Sequence, residues 1–148
     1  MQWVTREHPK IDRIACPWLI RRFIDPMARF LYVAPAEVAE VAARFDAIPF
    51  DIEGVTFSHR GDQCSFDALL DDFGLHCEPL DRMATVIRGA DTDRHDLAPQ
   101  AAGLLALSVG LSRMFRDDLQ QLEAGIALYD ALYRWARDGH GEGHDWPA

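Results

Sequence analysis

The sequence predicts an α/β (α+β) fold: a small mixed β-sheet with flanking helices, followed by a helical C-terminal half. Three observations lead there. Short runs of β-branched and aromatic residues alternate with helix-period segments as far as Ser58. Beyond that point only the helical period continues. At 148 residues, with 49% hydrophobic and 10% aromatic content, the chain is long enough for one domain with its own core.

The elements follow in order. Trp3 to Thr5 reads as a short strand. Ile11 to Pro26 reads as an amphipathic helix, with Ile11, Ile14, Ala15, Trp18, Leu19 and Phe23 recurring at helical spacing. Pro17 leaves two registers open: a helix from near Asp12 that is kinked at Pro17, or one from Cys16 with Pro17 in the first turn. Phe30 to Val33 is a second strand, and Pro35 to Phe45 a helix with Val38, Val41, Ala42 and Phe45 on one face. Ile48–Ile52 and Val55–Ser58 read as a hairpin turning at Glu53-Gly54. Ser65 caps a helix through Phe73, which Gly74 ends. Further helices run over Pro79–Gly89 and from about Pro99 to Phe115. The last starts at the cap Asp117 and carries the stripe Leu119, Leu122, Ile126, Tyr129 and Tyr133. Residues 1–138 form one domain on this reading, and 139–148 a flexible tail with His140 and His144. The element order is loosely that of thioredoxin-like and glutathione-transferase-like proteins, which place a proline where Pro49 stands.

A net charge of −9 and a pI near 5.0 argue against non-specific binding to nucleic acid or an anionic membrane surface. No apolar run reaches the ~20 residues that span a bilayer, and the first residues show no signal-peptide pattern. Cys16, Cys64 and Cys77 form neither a C-x-x-C pair nor an even-numbered disulfide framework. A cytoplasmic protein with reduced thiols is the expectation. No Walker loop or dinucleotide fingerprint is present, so no nucleotide cofactor is indicated.

Two segments carry chemistry. The first is the helix after Ile11, where Asp12, Arg13, Cys16, Trp18, Arg21 and Arg22 share one short stretch. Guanidinium forks suit tetrahedral oxyanions, which makes Arg13, Arg21 and Arg22 the candidate anion binders, with Asp12 and Trp18 in support. The second is the block Phe57-Ser-His-Arg-Gly-Asp-Gln-Cys-Ser-Phe66, where His59 leaves a strand and Cys64 precedes a helix. With Asp91 and Asp93 from the acidic loop further on, His59 and Cys64 offer donors for zinc or iron rather than calcium. Cys16 and Cys64 are the candidate catalytic thiols. Each feature also has a structural reading: a buried cysteine, a hydrogen-bonded strand-end histidine, a solvated acidic loop.

Together, Trp3-Val-Thr-Arg, Lys10-Ile-Asp-Arg-Ile-Ala-Cys-Pro-Trp-Leu-Ile-Arg-Arg-Phe-Ile-Asp-Pro, Phe57-Ser-His-x-Gly-x-x-Cys-Ser-Phe66 and Leu128-Tyr-Asp-Ala-Leu-Tyr133 resemble the chromate resistance protein family. The likeness is greatest to the C-terminal domain of ChrB regulators and runs from Trp3 to about Trp135. It implies a part in bacterial resistance or response to chromate. The family's DNA-controlling region is a separate N-terminal one, so direct nucleic-acid binding is not carried over. Its "exported" label conflicts with the missing signal peptide. Three functions compete. One is a domain binding a metal ion or a tetrahedral oxyanion, chromate or sulfate, for sensing or detoxification. Another is a thiol- or metal-dependent chromate reductase or a metal-assisted hydrolase. The third is a purely structural partner module. A homodimer stays open.

Overall fold

The computed structural model describes residues 1–145 of the chain. Residues 146–148 of the expected tail lie outside the described residues. Strand β1 (Gln2–Arg6) is central in a three-stranded sheet of order β2-β1-β3, with β2 at Arg29–Val33 and β3 at Ala47–Pro49. Trp3 lies opposite Phe30 on one side and Ile48 on the other, and all pairings are parallel. Alternation along β1 splits the core. Trp3 faces the large core with Phe30 and Phe50, whereas Val4 faces a smaller one with Val38 and Ala47.

Helix α1 (Asp12–Leu19) covers the first face, and α2 (Val38–Phe45) the second. Pro17 lies inside α1, the first of the two registers left open. Its ring removes the amide that would bond the Arg13 carbonyl. The Tyr32 hydroxyl donates to that carbonyl instead, at 2.6 Å. A π-turn over Ile20–Ile24 follows and ends the helix ahead of Pro26.

The expected hairpin does not form, so the sheet is parallel rather than mixed. Asp51 turns to φ 51°, in the left-handed region, directly after β3 and Phe50. Only a single bridge joins Phe50 to Phe57. Pro49 closes β3 rather than opening it, and the loose thioredoxin-like order stops at this strand.

Four helices complete the first face: α3 (Ser65–Asp72), α4 (Glu78–Asp91), α5 (Ala101–Met114) and α6 (Asp118–Arg134). Cys64, not Ser65, is the cap of α3, and the Asp67 carboxylate accepts its backbone N–H at 3.0 Å. Gly89 does not end α4. A Cβ there would lie 2.8 Å from the Arg94 carbonyl oxygen and 3.0 Å from the Ala101 Cβ, so the missing side chain lets the following turn and α5 pack closely. At α6 the Asp117 carboxylate caps as expected, accepting from the Leu119 amide at 2.9 Å. Among the described residues no helix is long and apolar enough to cross a membrane.

Candidate metal centre

The carboxyl ends of β1 and β3 lie side by side in the parallel sheet, and the carboxyl ends of strands are the usual ligand position in open α/β sheets. The polar residues converge there. Arg6 ends β1, Asp12 begins α1, Asp51 follows β3, and the loop after it brings His59. Asp91 arrives as the last residue of α4, and Ser65 as the first of α3.

Asp12 is wholly buried. Its Oδ2 accepts the Ser65 amide at 2.7 Å. Its Oδ1 has no hydrogen-bond partner, the one carboxylate oxygen so placed among the described residues; Trp3 Nε1 and His95 Nε2 are the other orphans. His59 Nε2 lies 2.9 Å from Asp91 Oδ2, 3.5 Å from Asp51 Oδ1 and 3.8 Å from Asp12 Oδ2. One ligand atom each from Asp12, His59 and Asp91 falls within a 4.8 Å span.

The carboxylates are not equivalent. Burial pushes Asp12 well above the usual carboxylate range, and the charges of Asp91 and Asp51 add to this. Burial likewise raises Asp91, helped by the charge of Asp51. Burial acts on Asp51 too, but contacts with His59, Ser65, Arg6 and Arg13 outweigh it and hold that carboxyl below its ordinary value. Asp51 is thus a neutralised anchor. It accepts from Ser65 Oγ at 2.8 Å and sits 3.4 Å from Arg13 Nε. Asp12 and Asp91 have no such compensation, and both are shifted toward the protonated form. The neighbouring Asp51 first, then the charge of Asp91, raise the His59 pKa against partial desolvation.

Not every residue singled out from the sequence joins this centre. Asp93 is exposed and lies near His95, 3.6 Å away. The Cys64 thiol donates to Asp67 at 3.3 Å. Burial raises the thiols of Cys16 and Cys64 well above the ordinary value, so both are held protonated. Arg21 and Arg22 point to α6, pairing with Glu123 at 2.7 Å and Asp130 at 2.8 Å. Trp18 Nε1 donates to the same Asp130 at 2.7 Å. Arg13 is the one arginine of the three beside the centre, and its Nη1 is spent on the Arg6 and Glu7 carbonyls. Asp51, Ser65 and Arg6 join the site without being candidates from sequence: Ser65 reads as a helix cap and Asp51 as a strand residue, and nothing local signals the left-handed turn at Asp51.

His59 also borders two clefts. One, about 310 Å³, is lined by Arg6, Asp51 and Ser58 among others. The second, about 580 Å³, is lined by Gly61, Asp62, Arg88, Thr92, Arg94 and Leu97. Arg88 gives Nη1 to Asp67 at 2.8 Å, and Arg94 pairs with Asp96 at 2.9 Å.

The donor set fits a transition metal: two carboxylates and an imidazole from three separate elements, with an orphaned oxygen on the most buried of them.

No solved structure matches the chain. A curated relative, Protein ChrB of Cupriavidus metallidurans, is 42% identical over 134 residues. That stretch is 89% of this chain but 40% of the relative, so the chain spans well under half of the relative's length. The family model for the ChrB C-terminal domain matches residues 3–136. With nearly the whole chain matched, the protein belongs to the ChrB C-terminal domain family.

Proposed function

We propose that this domain serves chromate resistance by binding a divalent transition metal, zinc or iron, between Asp12, His59 and Asp91, and a tetrahedral oxyanion beside it. The observation that carries the reading is the Asp12 carboxylate, wholly buried with Oδ1 unpartnered, in reach of a second carboxylate and an imidazole. A buried carboxylate without a counter-charge is costly. A divalent ion would offset Asp12 and Asp91 together and, when bound, would supply a Lewis-acidic position for an anion.

The residues around it have separable tasks. Ser65 N–H orients Asp12, and Asp51 is held anionic by Arg6 and Arg13. The cleft beyond His59 is the entrance for the oxyanion, where Arg88 and Arg94 supply positive charge. That role passes from Arg21 and Arg22 because neither lines a cleft that His59 borders, whereas Arg88 and Arg94, though paired with Asp67 and Asp96, do. Thiol-dependent reduction of chromate draws no support, because Cys16 and Cys64 are buried and protonated.

The test is elemental analysis of protein purified without a tag. Zinc or iron should accompany the wild type and a His140→Ala/His144→Ala variant, and be lost from His59→Ala. Equal metal content in wild type and His59→Ala would overturn the metal reading. Chromate and sulfate should each raise the melting temperature of metal-loaded protein. An unchanged melting temperature with both removes the oxyanion from the proposal.

A further inference from the structure

The segment that delivers Asp12 is strained. Ile11, the residue before it, has φ 46° and ψ −99°, and His8 has φ 57°. A β-branched residue at positive φ is a true outlier, and it persists only where the surroundings over-determine it.

The surroundings here are one face of α6. The Asp118 carboxylate accepts the His8 amide at 3.1 Å. Gln121 Nε2 donates to the Pro9 carbonyl at 2.7 Å, and the Tyr129 hydroxyl to the Ile11 carbonyl at 3.3 Å. Between them Gly125 admits Ile14, whose Cγ2 would lie 2.5 Å from a Cβ at that position. Residues 118, 121, 125 and 129 follow a helical repeat, so a single stripe reaches every part of the segment. Gln121 and Tyr129 are both buried, so their hydrogen bonds are shielded from competing water.

We infer that α6 is a positioning element: Gln121 and Tyr129 hold the Pro9–Ile11 backbone in the strained form that aims the Asp12 carboxylate at His59 and Asp91. This rests on the metal-site reading above. Without Gln121 the Pro9 carbonyl loses the hydrogen bond that ties it to α6. Without Tyr129 the Ile11 carbonyl keeps the Ile14 and Ala15 amides, at 3.0 and 2.7 Å, but loses its link to α6, so the entry to α1 can shift relative to that helix. Packing of α6 and affinity at the metal centre are therefore linked, although α6 supplies no ligand. Linkage of this kind is reciprocal.

The test uses Co(II) as the probe, with affinity read by chelator competition and coordination by visible absorption. Wild type is compared with Gln121→Leu, which removes the amide that bonds the Pro9 carbonyl, and Tyr129→Phe, which removes the hydroxyl that bonds the Ile11 carbonyl and also meets Ser108; both nearly conserve volume. Each variant should bind Co(II) about tenfold more weakly, the scale for losing a group that orients a metal ligand, and its absorption band should shift from that of the wild type. Val38→Ala, on the opposite face of the sheet, supplies the control: a lowered melting temperature with wild-type Co(II) affinity and spectrum. If Tyr129→Phe and Gln121→Leu behave like Val38→Ala, α6 contributes stability alone and the inference fails. If one of them does not fold, the other still decides. Failure of wild type to bind Co(II) would instead overturn the metal-site reading, and this inference with it.

Discussion

His59 and His76 each lie against two or more aspartates, and only one of these clusters has the properties of a ligand site. His76 joins α3 to α4: Nε2 lies 2.6 Å from Asp71 Oδ1 and Nδ1 lies 2.6 Å from Asp81 Oδ1. The ring is half exposed, and each nitrogen has its own carboxylate. Both ring nitrogens are taken, and the two carboxylates are open to water, so no polar atom of the cluster is buried without a partner. At His59 one imidazole serves three carboxylates, and the most buried of them has an unpartnered oxygen. Residue types are the same in both. What separates a clamp from a centre is a buried carboxyl whose charged form the protein's own groups do not compensate.

The comparison breaks first at Asp12. Asp12→Asn keeps an oxygen for the Ser65 amide but removes the ionisable carboxyl. Metal binding should be lost, while the metal-free protein gains about 1–2 kcal/mol near neutral pH, the scale of deleting an uncompensated buried charge. The sign follows from the raised folded pKa of Asp12, which costs stability above the unfolded value. Below about pH 4, with both states protonated, the gain should vanish. Chemical denaturation of the metal-free variants at several pH values measures this. A destabilised Asp12→Asn would make the residue structural, like those of the clamp.

Acidity separates the two clusters next. Asp81 and Asp71 raise the pKa of His76. Its stabilising contribution is complete below the unfolded value of about 6.5 and fades as pH rises through the folded value. His76→Gln should therefore cost under about 1 kcal/mol at pH 5, as exposed ion pairs do, and match the wild type in alkaline solution. The proposed metal centre should run the other way, because carboxylate and imidazole ligands must lose protons to bind a metal. Metal affinity of the wild type should fall on acidification, over the range in which the clamp tightens. Parallel behaviour of the two would erase the distinction.

The smallest effect is expected at Asp93, where φ is 57° and the side chain is almost fully exposed. Asp93→Asn preserves a residue that tolerates this backbone. Its stability should stay within about 0.5 kcal/mol of wild type, with metal content unchanged. Metal loss on this substitution would return the ligand set to the acidic loop.

Much of the fold was legible because it is written in local periods. Trp3–Thr5, Phe30–Val33 and the helices at 35–45 and 65–73 follow from local spacing, and the start of the last helix from its cap Asp117. The hairpin misread has a local cause as well. Ile48–Ile52 has strand composition, but Asp51 leaves the strand to meet Arg6, Arg13 and Ser65, which are remote in sequence. Arg21 and Arg22 show the same limit. Their side chains suit an anion, yet Glu123 and Asp130, about a hundred positions on, take them.

By itself, the sequence determined the α/β class, the family likeness, and the residue types from which a metal centre can be built. It marked His59 and Asp91 individually, since histidine and aspartate at element ends are candidate donors wherever they occur. Only the tertiary structure decided which donors meet. Asp12, His59 and Asp91 are brought within one ion's reach by the carboxyl ends of β1 and β3 and by the end of α4. Burial then gave those carboxylates their unequal pKa values. Charge and hydrogen-bonding capacity belong to residues, whereas desolvation and proximity belong to the packed chain.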